Sequence, residues 1–405
     1  MPRAIYYATF LLVAGSMLSV YFLKIISMKI GILTLPLHTN YGGILQAYAL
    51  QTVLERMGHE VVVFDTPNKC PLPPFKDIPK CFLKRIVKKL LGRNQKIFYE
   101  YYQNNKVIPV VSQNTQRFIN SYIHRKEIRN FKELDGDSYD AIVVGSDQVW
   151  RPLYFVPGWR WQEIENAFLS FACKWKIKRL SYAASFGTDN WEYTDQQTRR
   201  CKALLQVFDA ISVRETNGVT LCKKYFDIDS VHVLDPTMLL NEVDYSIFFQ
   251  KANTPKSNGT LLNYILDENE KKRALIMHVA NQKCLRAFSV TNPHENDETK
   301  PLNERIKPSV EKWLRGFYDA EFVITDSFHA CVFSILFKKQ FVVVGNKERG
   351  LSRIESLLQC FGIENRIVED SVQVMRLPLI DYDKVYVKLE KYRKKSLEFL
   401  NVALG

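Results

Sequence analysis

Glycine and proline are sparse, 17 and 16 among 405 residues. Neither exceeds ordinary globular use, which excludes collagen-like, linker-like and low-complexity architectures. Cysteine is equally thin. The eight cysteines are scattered from Cys70 to Cys360, none forms C-x-x-C, and none has a histidine at zinc-ligand spacing. That excludes a disulfide framework and a zinc module, so the expectation is reduced thiols, no metal and a cytoplasmic setting. No internal repeat of roughly 20 to 50 residues recurs. Neither G-K-[ST] nor G-x-G-x-x-G follows the first strand, so neither a P-loop nor a dinucleotide cofactor is expected. Acid is short relative to base, with 43 Asp and Glu against 56 Lys and Arg, a net charge of +13. Such a balance suits nucleic acid, anionic lipid or phosphorylated small molecules. Without a zinc finger, an aromatic RNA-binding signature or a recognition-helix pattern, nucleic acid is not an expected partner.

One long apolar run is present. Residues 4–23 (AIYYATFLLVAGSMLSVYFL) are uncharged between Arg3 and Lys24, and about 20 such residues suffice to span a bilayer. Residues 1–27 therefore read either as a membrane anchor or as an extension upstream of the first strand, on the cytoplasmic side in both cases. A second feature is local. Between Lys76 and Lys106 there are nine Lys and Arg and two acids, with Ile, Leu, Phe and Tyr interleaved. This basic insertion, placed at 66–135, reads as amphipathic helix with a solvated face or as a contact for an anionic membrane surface.

From Met28 onward, apolar runs alternate with helix-period segments. KIGILTL (29–35) and EVVVFD (60–65) flank a segment whose apolar positions 44, 47, 50, 54 and 57 have helical spacing. That is a βαβ unit with strands buried on both faces. The pattern returns at AIVV, RLSYAASFG, AISVRE and VHVLDPTMLL, then, after QKANTPKSNG, in a second set ending with FVITDSFHACVFSILFKKQFVVVG. The expected fold is α/β: two Rossmann-like domains facing a cleft, at 28–245 and 258–380, with a last helix, 381–405, packing back on the first.

In such sheets ligands bind beyond the carboxyl ends of the strands, which selects six polar clusters. Asn40, Tyr41, Gly42 and Gly43 join a strand to a helix, where glycines admit close approach and the helix N-terminus favours an anion; a tight turn explains them as well. Ser146, Asp147, Gln148 and Trp150 suit a sugar, with a carboxylate for hydroxyls and a ring for stacking; alternatively Ser146 or Asp147 only caps a helix. Ser185 ends a strand among small residues. Arg214 is a fork for phosphate or carboxylate, or half of a surface pair. Ser327 or Asp326 caps a helix whose first turn holds His329, a candidate acid or base. Arg349 and Arg353, in a loop and helix start rich in cations, form a candidate anion clamp.

Taken together and in this order, GILTLPLHTNYGGILQAYAL, DAIVVGSDQVW, SYAASFG, ISVRE, LDPTMLL and FVITDSFHACVFSILFKKQFVVV resemble the polysaccharide pyruvyl transferase family. The resemblance spans roughly residues 28–358. It implies a fold similar to that of two-domain nucleotide-sugar glycosyltransferases. It also implies transfer of a pyruvyl group from phosphoenolpyruvate to a lipid-linked or nucleotide-linked sugar in exopolysaccharide or cell-envelope assembly. On this reading His329 and Asp147 handle protons and Arg214, Arg349 and Arg353 hold the donor. Many members read Arg-x-His where this chain reads Ser327-Phe328-His329, so one donor-binding cation is replaced by a hydroxyl. A nucleotide-sugar glycosyltransferase and a non-catalytic glycan-binding protein stay open as alternatives.

Overall fold

A computed structural model describes residues 27–66, 73, 75–91, 96–155, 163–345 and 351–405. The apolar run 4–23 and Arg349 lie outside the described residues. Among those described, no helix is long and apolar enough to cross a membrane.

Seven parallel strands form the first sheet: β1 (Lys29–Leu33), β2 (Glu60–Asp65), β3 (Arg125–Glu127), β4 (Ala141–Val144), β5 (Lys178–Ala184), β6 (Ala210–Val213) and β7 (Val231–His232). Their order is β3-β2-β1-β4-β5-β6-β7, so the topology switches direction between β1 and β4. β4 is buried throughout, as its four apolar residues require of a strand covered on both faces. Five further parallel strands form the second sheet: β8 (Leu261–Tyr264), β9 (Ala287–Phe288), β10 (Phe322–Thr325), β11 (Gln340–Val344) and β12 (Ile367–Val368). Here the order is β12-β11-β10-β8-β9, with the switch between β10 and β8. The molecule is thus α/β with two parallel sheets, each wrapped by helices.

One apolar core runs through both layers. It contains Ile30, Ile44 and Val143 from the first sheet's side together with Trp313, Val323 and Phe333 from the second's. The terminal helix Tyr382–Leu404 lies against the first layer: Arg393 donates to the carbonyls of Met238 and Leu240, both at 2.6 Å, and Lys178 reaches Leu404 O at 2.7 Å.

Two expectations need correction. The segment 66–135 is not purely an external insertion, because Arg125–Glu127 inside it forms β3 and extends the sheet edge beside β2. A three-residue Arg-Lys-Glu strand has no apolar period to betray it. The boundary at residue 245 falls inside the helix Glu242–Lys251, begun by a capping box between Asn241 and Asp244. Phe248 of that helix packs on Tyr48 and Phe118, which holds it in the first layer.

Candidate active site

The two switch points face each other. At the first, the segment after β1 carries Asn40–Gly43 and the turn after β4 carries Ser146 and Asp147. Asn40 Nδ2 stands 3.5 Å from Asp147 Oδ2. Asp147 is held at φ 72°, a left-handed backbone rare for a residue with a side chain. Neighbouring backbone fixes it there: its carbonyl accepts the amides of Val149 at 2.7 Å and Ser185 at 3.1 Å. A bulge between Ser181 and Ala184 in β5 brings Ser185 into that position.

Beside them, the residues after β6 and β7 make a buried polar knot. Asp235 is the centre. Its Oδ1 accepts the Thr237 amide at 3.0 Å and the Thr237 hydroxyl at 2.6 Å. Its Oδ2 accepts the Ser146 hydroxyl and Arg214 Nη1, each at 2.8 Å. Arg214 Nη2 lies 3.6 Å from Asp147 Oδ1. Burial alone would raise the Asp235 carboxyl, but His329, Arg214 and Thr237 together outweigh it and hold it at about 2. Burial likewise opposes the charge on Arg214, and Asp235, Asp147 and Glu215 restore and strengthen it.

From the second layer the helix Phe328–Leu336 projects its first turn into this knot. Phe328 lies over the Arg214 guanidinium, 4.3 Å from ring centroid to Cζ. His329 Nε2 stands 3.8 Å from Asp235 Oδ2. The other edge of the imidazole rests on the backbone of Gly42: a Cβ at that position would lie 2.0 Å from His329 Nδ1. Glycine is therefore required at 42 for close approach rather than for an unusual backbone angle. Burial pushes the His329 pKa below the ordinary value. Asp235 pulls it up and Arg214 presses it down, and the net direction is towards a neutral ring.

Several polar atoms here have no hydrogen-bond partner among the described residues. They are Nε and Nη2 of Arg214, Oε2 of Glu215 and Nε2 of His329, all buried. A buried polar group without a partner costs about 1–3 kcal/mol, so four in one place mark where a ligand completes the hydrogen bonding. Arg353, half-buried in the helix Leu351–Phe361, faces the same place. Burial first, and Arg214 next, lower its pKa to about 10, while Glu215 and Asp147 oppose the shift. It remains cationic at neutral pH. Two guanidiniums in electrostatic contact, one fully buried, suit an anion with more than one charged group.

The structure brings Asn40, Gly42, Ser146, Asp147, Arg214, His329 and Arg353 together. Gly43 is half-buried, its carbonyl accepting Gln46 Nε2 at 2.9 Å. Gln148, also half-buried, accepts Arg151 Nη1 at 3.2 Å and stands over Gly187. Ser185 is buried and occupied, donating to Glu215 Oε1 at 3.0 Å. Ser327 occupies the N-cap of its helix without a side-chain cap bond, and its amide donates to Thr325 Oγ1. Asp326 belongs to the second sheet's own framework, pairing with Lys272 at 2.8 Å.

Two residues singled out as ligand contacts are framework instead. Trp150 is wholly buried, stacks on Phe168 and donates its indole N–H to Ala167 O at 3.1 Å, so it is not a sugar platform. Three residues after Asp147 the chain has already turned under the sheet into an aromatic cluster. Tyr41 is buried against Trp313, and its hydroxyl donates to Pro308 O at 2.6 Å. Asp235, Glu215 and Phe328 were missed. Asp235 follows VHVL at a strand's carboxyl end, the same signal that selects Asp147, although an Asp-Pro pair there also fits a plain turn. Among the described residues no group of three or more His, Cys, Asp or Glu side chains is placed to hold a metal.

Solved structures similar to the chain include the glycotransferase of kitacinnamycin, at 13% identity over 93% of this chain and 97% of that one, TM-score 0.44. UDP-GlcNAc 2-epimerase from Neisseria meningitidis is similar at 11% identity, 92% and 94% coverage, TM-score 0.45. The Methanocaldococcus jannaschii enzyme of that name matches at 15%, 93% and 99%, TM-score 0.44. Likeness at this level carries no information about activity. No curated protein matches the chain. The family model described as polysaccharide pyruvyl transferase matches residues 40–348, which takes in every cluster of the site up to His329. The chain belongs to the polysaccharide pyruvyl transferase family.

Proposed function

We propose that this protein transfers the pyruvyl group of phosphoenolpyruvate to a pair of sugar hydroxyls, forming a ketal during cell-surface glycan assembly. The observation that carries the reading is His329 Nε2. It is buried without a hydrogen-bond partner among the described residues, 3.8 Å from the Asp235 carboxylate and within electrostatic reach of Arg214 and Arg353. Burial holds the imidazole neutral and so able to accept a proton, and the Asp235 carboxylate 3.8 Å away partly offsets the cost of the cation that results. Phosphoenolpyruvate carries a phosphate and a carboxylate, the charges that paired guanidiniums suit.

The chemistry balances with these groups. One acceptor hydroxyl adds across the enol double bond. Its oxygen bonds to the central carbon, and its proton, relayed through His329 Nε2, ends on the methylene, which becomes methyl. The second hydroxyl then bonds to the same carbon while the bond to the phosphate oxygen breaks. Phosphate leaves with the electron pair, and the second proton passes to Asp147 or to phosphate. Arg353 takes over the anion contact that an Arg at the position of Ser327 makes in other members.

The test is incubation of purified protein with phosphoenolpyruvate and lipid-linked or nucleotide-linked sugars. Acceptor-dependent phosphate release, with a gain of pyruvyl mass on the acceptor, is expected. His329→Ala lowers kcat by about 10²–10⁴-fold, the range for loss of a general acid–base group. Arg353→Ala raises KM for the donor at least tenfold. Ser327 favours a second reading, a nucleotide-sugar glycosyltransferase. Release of nucleotide from a sugar nucleotide, with no consumption of phosphoenolpyruvate, would establish it instead.

A further inference from the structure

The helix Ile78–Leu90 buries none of its residues. Its apolar side chains are nonetheless large and contiguous. Leu83 is 64% exposed, Ile86 38%, Val87 46% and Leu90 82%. At 83, 86, 87 and 90 the spacing places them within one sector of about 100° on the helix. Lys80 borders this sector on one side, with Lys84 and Lys88 following it round the helix, and on the other side Phe82 and then Lys89 come after Ile86. The remaining cation, Arg85, is turned inward to Glu100, with an N–O distance of 2.5 Å. Leu91, Phe98 and Tyr101 are also 73%, 65% and 70% exposed, and Phe98 packs on Phe82 of the helix with ring centroids 5.5 Å apart. No acid follows Asp77 within the helix.

A helix with an exposed apolar stripe, lysines flanking it and no acid is built for the boundary between headgroups and acyl chains. The apolar face enters the boundary while the lysine ammoniums reach anionic headgroups on their flexible stems. We propose that this helix docks the enzyme on the surface of an anionic phospholipid bilayer. The argument is charge complementarity joined to an uncovered apolar stripe. It does not depend on the reaction assigned to the cleft, and it is read without any substrate.

The experiment is hydrogen exchange and sedimentation of the full chain with vesicles of phosphatidylcholine alone or with phosphatidylglycerol added. Amides of 78–90 should gain protection only with phosphatidylglycerol, and added salt should release the protein. Leu83→Gln with Leu90→Gln should lower the bound fraction by at least tenfold. Each Lys→Gln at 80, 84 or 88 should lower it about fivefold. In the absence of vesicles the urea unfolding midpoint of these variants should match that of the parent. Equal protection on neutral and anionic vesicles would overturn the proposal. So would protection of 78–90 before vesicles are added, whether from a second copy of the chain or from the run 4–23. Binding unaffected by all of these substitutions would overturn it too, since the contact would then lie elsewhere.

Discussion

At the scale of single residues, the site is governed by what burial does to charge. Asp235 keeps its charge because four hydrogen bonds surround it, one of them from a guanidinium. His329 loses its charge because burial is the largest influence on it. The sign for stability follows from the unfolded chain, in which that histidine titrates near 6.5. Above that pH both states hold a neutral ring and its contribution is complete. As pH falls towards the depressed folded value, the unfolded chain binds a proton that the folded one does not, and stability is lost. His59 and His232, also depressed by burial, act in the same direction. Urea unfolding at pH 7.5 and 5.5 should therefore show a smaller acid-side loss for His329→Gln than for the parent. An equal or larger loss would mean that His329 is charged in the folded state. Residue identity alone pointed to His329 and Asp147, because an acid and an imidazole at strand ends have a chemical reason to be there. It did not separate Trp150 from a sugar platform. Which way a ring turns depends on Phe168, which is distant in sequence.

At the scale of elements, the second sheet's switch point is pinned by one carboxylate. Asp326 accepts the amides of Leu266 at 2.7 Å and Asp267 at 3.2 Å and pairs with Lys272 at 2.8 Å. Both charged side chains are buried. Removing one partner strands the other, at a cost of about 3–5 kcal/mol. Asp326→Ala should lower unfolding stability by that amount, since it also leaves two amides unpaired. Combining it with Lys272→Met should cost less than the sum of the single changes, as chemical denaturation of the set would measure. Strands such as AIVV and FVIT were legible because continuous apolar runs bounded by polar turns have few other uses. The edge strand β3 was not, since its residues carry no period and its pairing with β2 is a tertiary fact. The helix Ile78–Leu90 was legible as amphipathic, although nothing in its own sequence says whether a protein layer covers its stripe.

At the scale of the whole molecule, the two layers meet through adjacent residues. Tyr41 stacks on Trp313 with centroids 5.4 Å apart, and Gly42 carries the His329 ring. Asn114 donates to Lys307 O at 2.8 Å, and the Thr216 amide to Ser356 Oγ at 3.0 Å. Gly42→Ala tests this junction. Within a helix the change should gain up to about 1 kcal/mol of propensity. The added methyl collides with the imidazole, and overpacking of this kind costs about 1–3 kcal/mol. A lowered urea midpoint is expected, together with loss of turnover. A raised midpoint would mean that the layers do not meet there in solution. Two α/β layers were evident in the order of runs and turns, but their mutual seating was not, because it rests on contacts between residues 140 or more positions apart.

The stack of Tyr41 on Trp313 has a consequence for timing. The residue that latches the layers directly precedes the one on which the imidazole rests. Any separation wide enough to exchange ligands therefore unseats His329 in the same movement. Proton handling and access are thus coupled: a movement that lifts the second layer off Gly42 also withdraws the imidazole from Asp235. Trp313, which on such a movement loses Tyr41 from its stack while Tyr264, Phe317 and Phe333 stay beside it, is placed to report that event by its own emission.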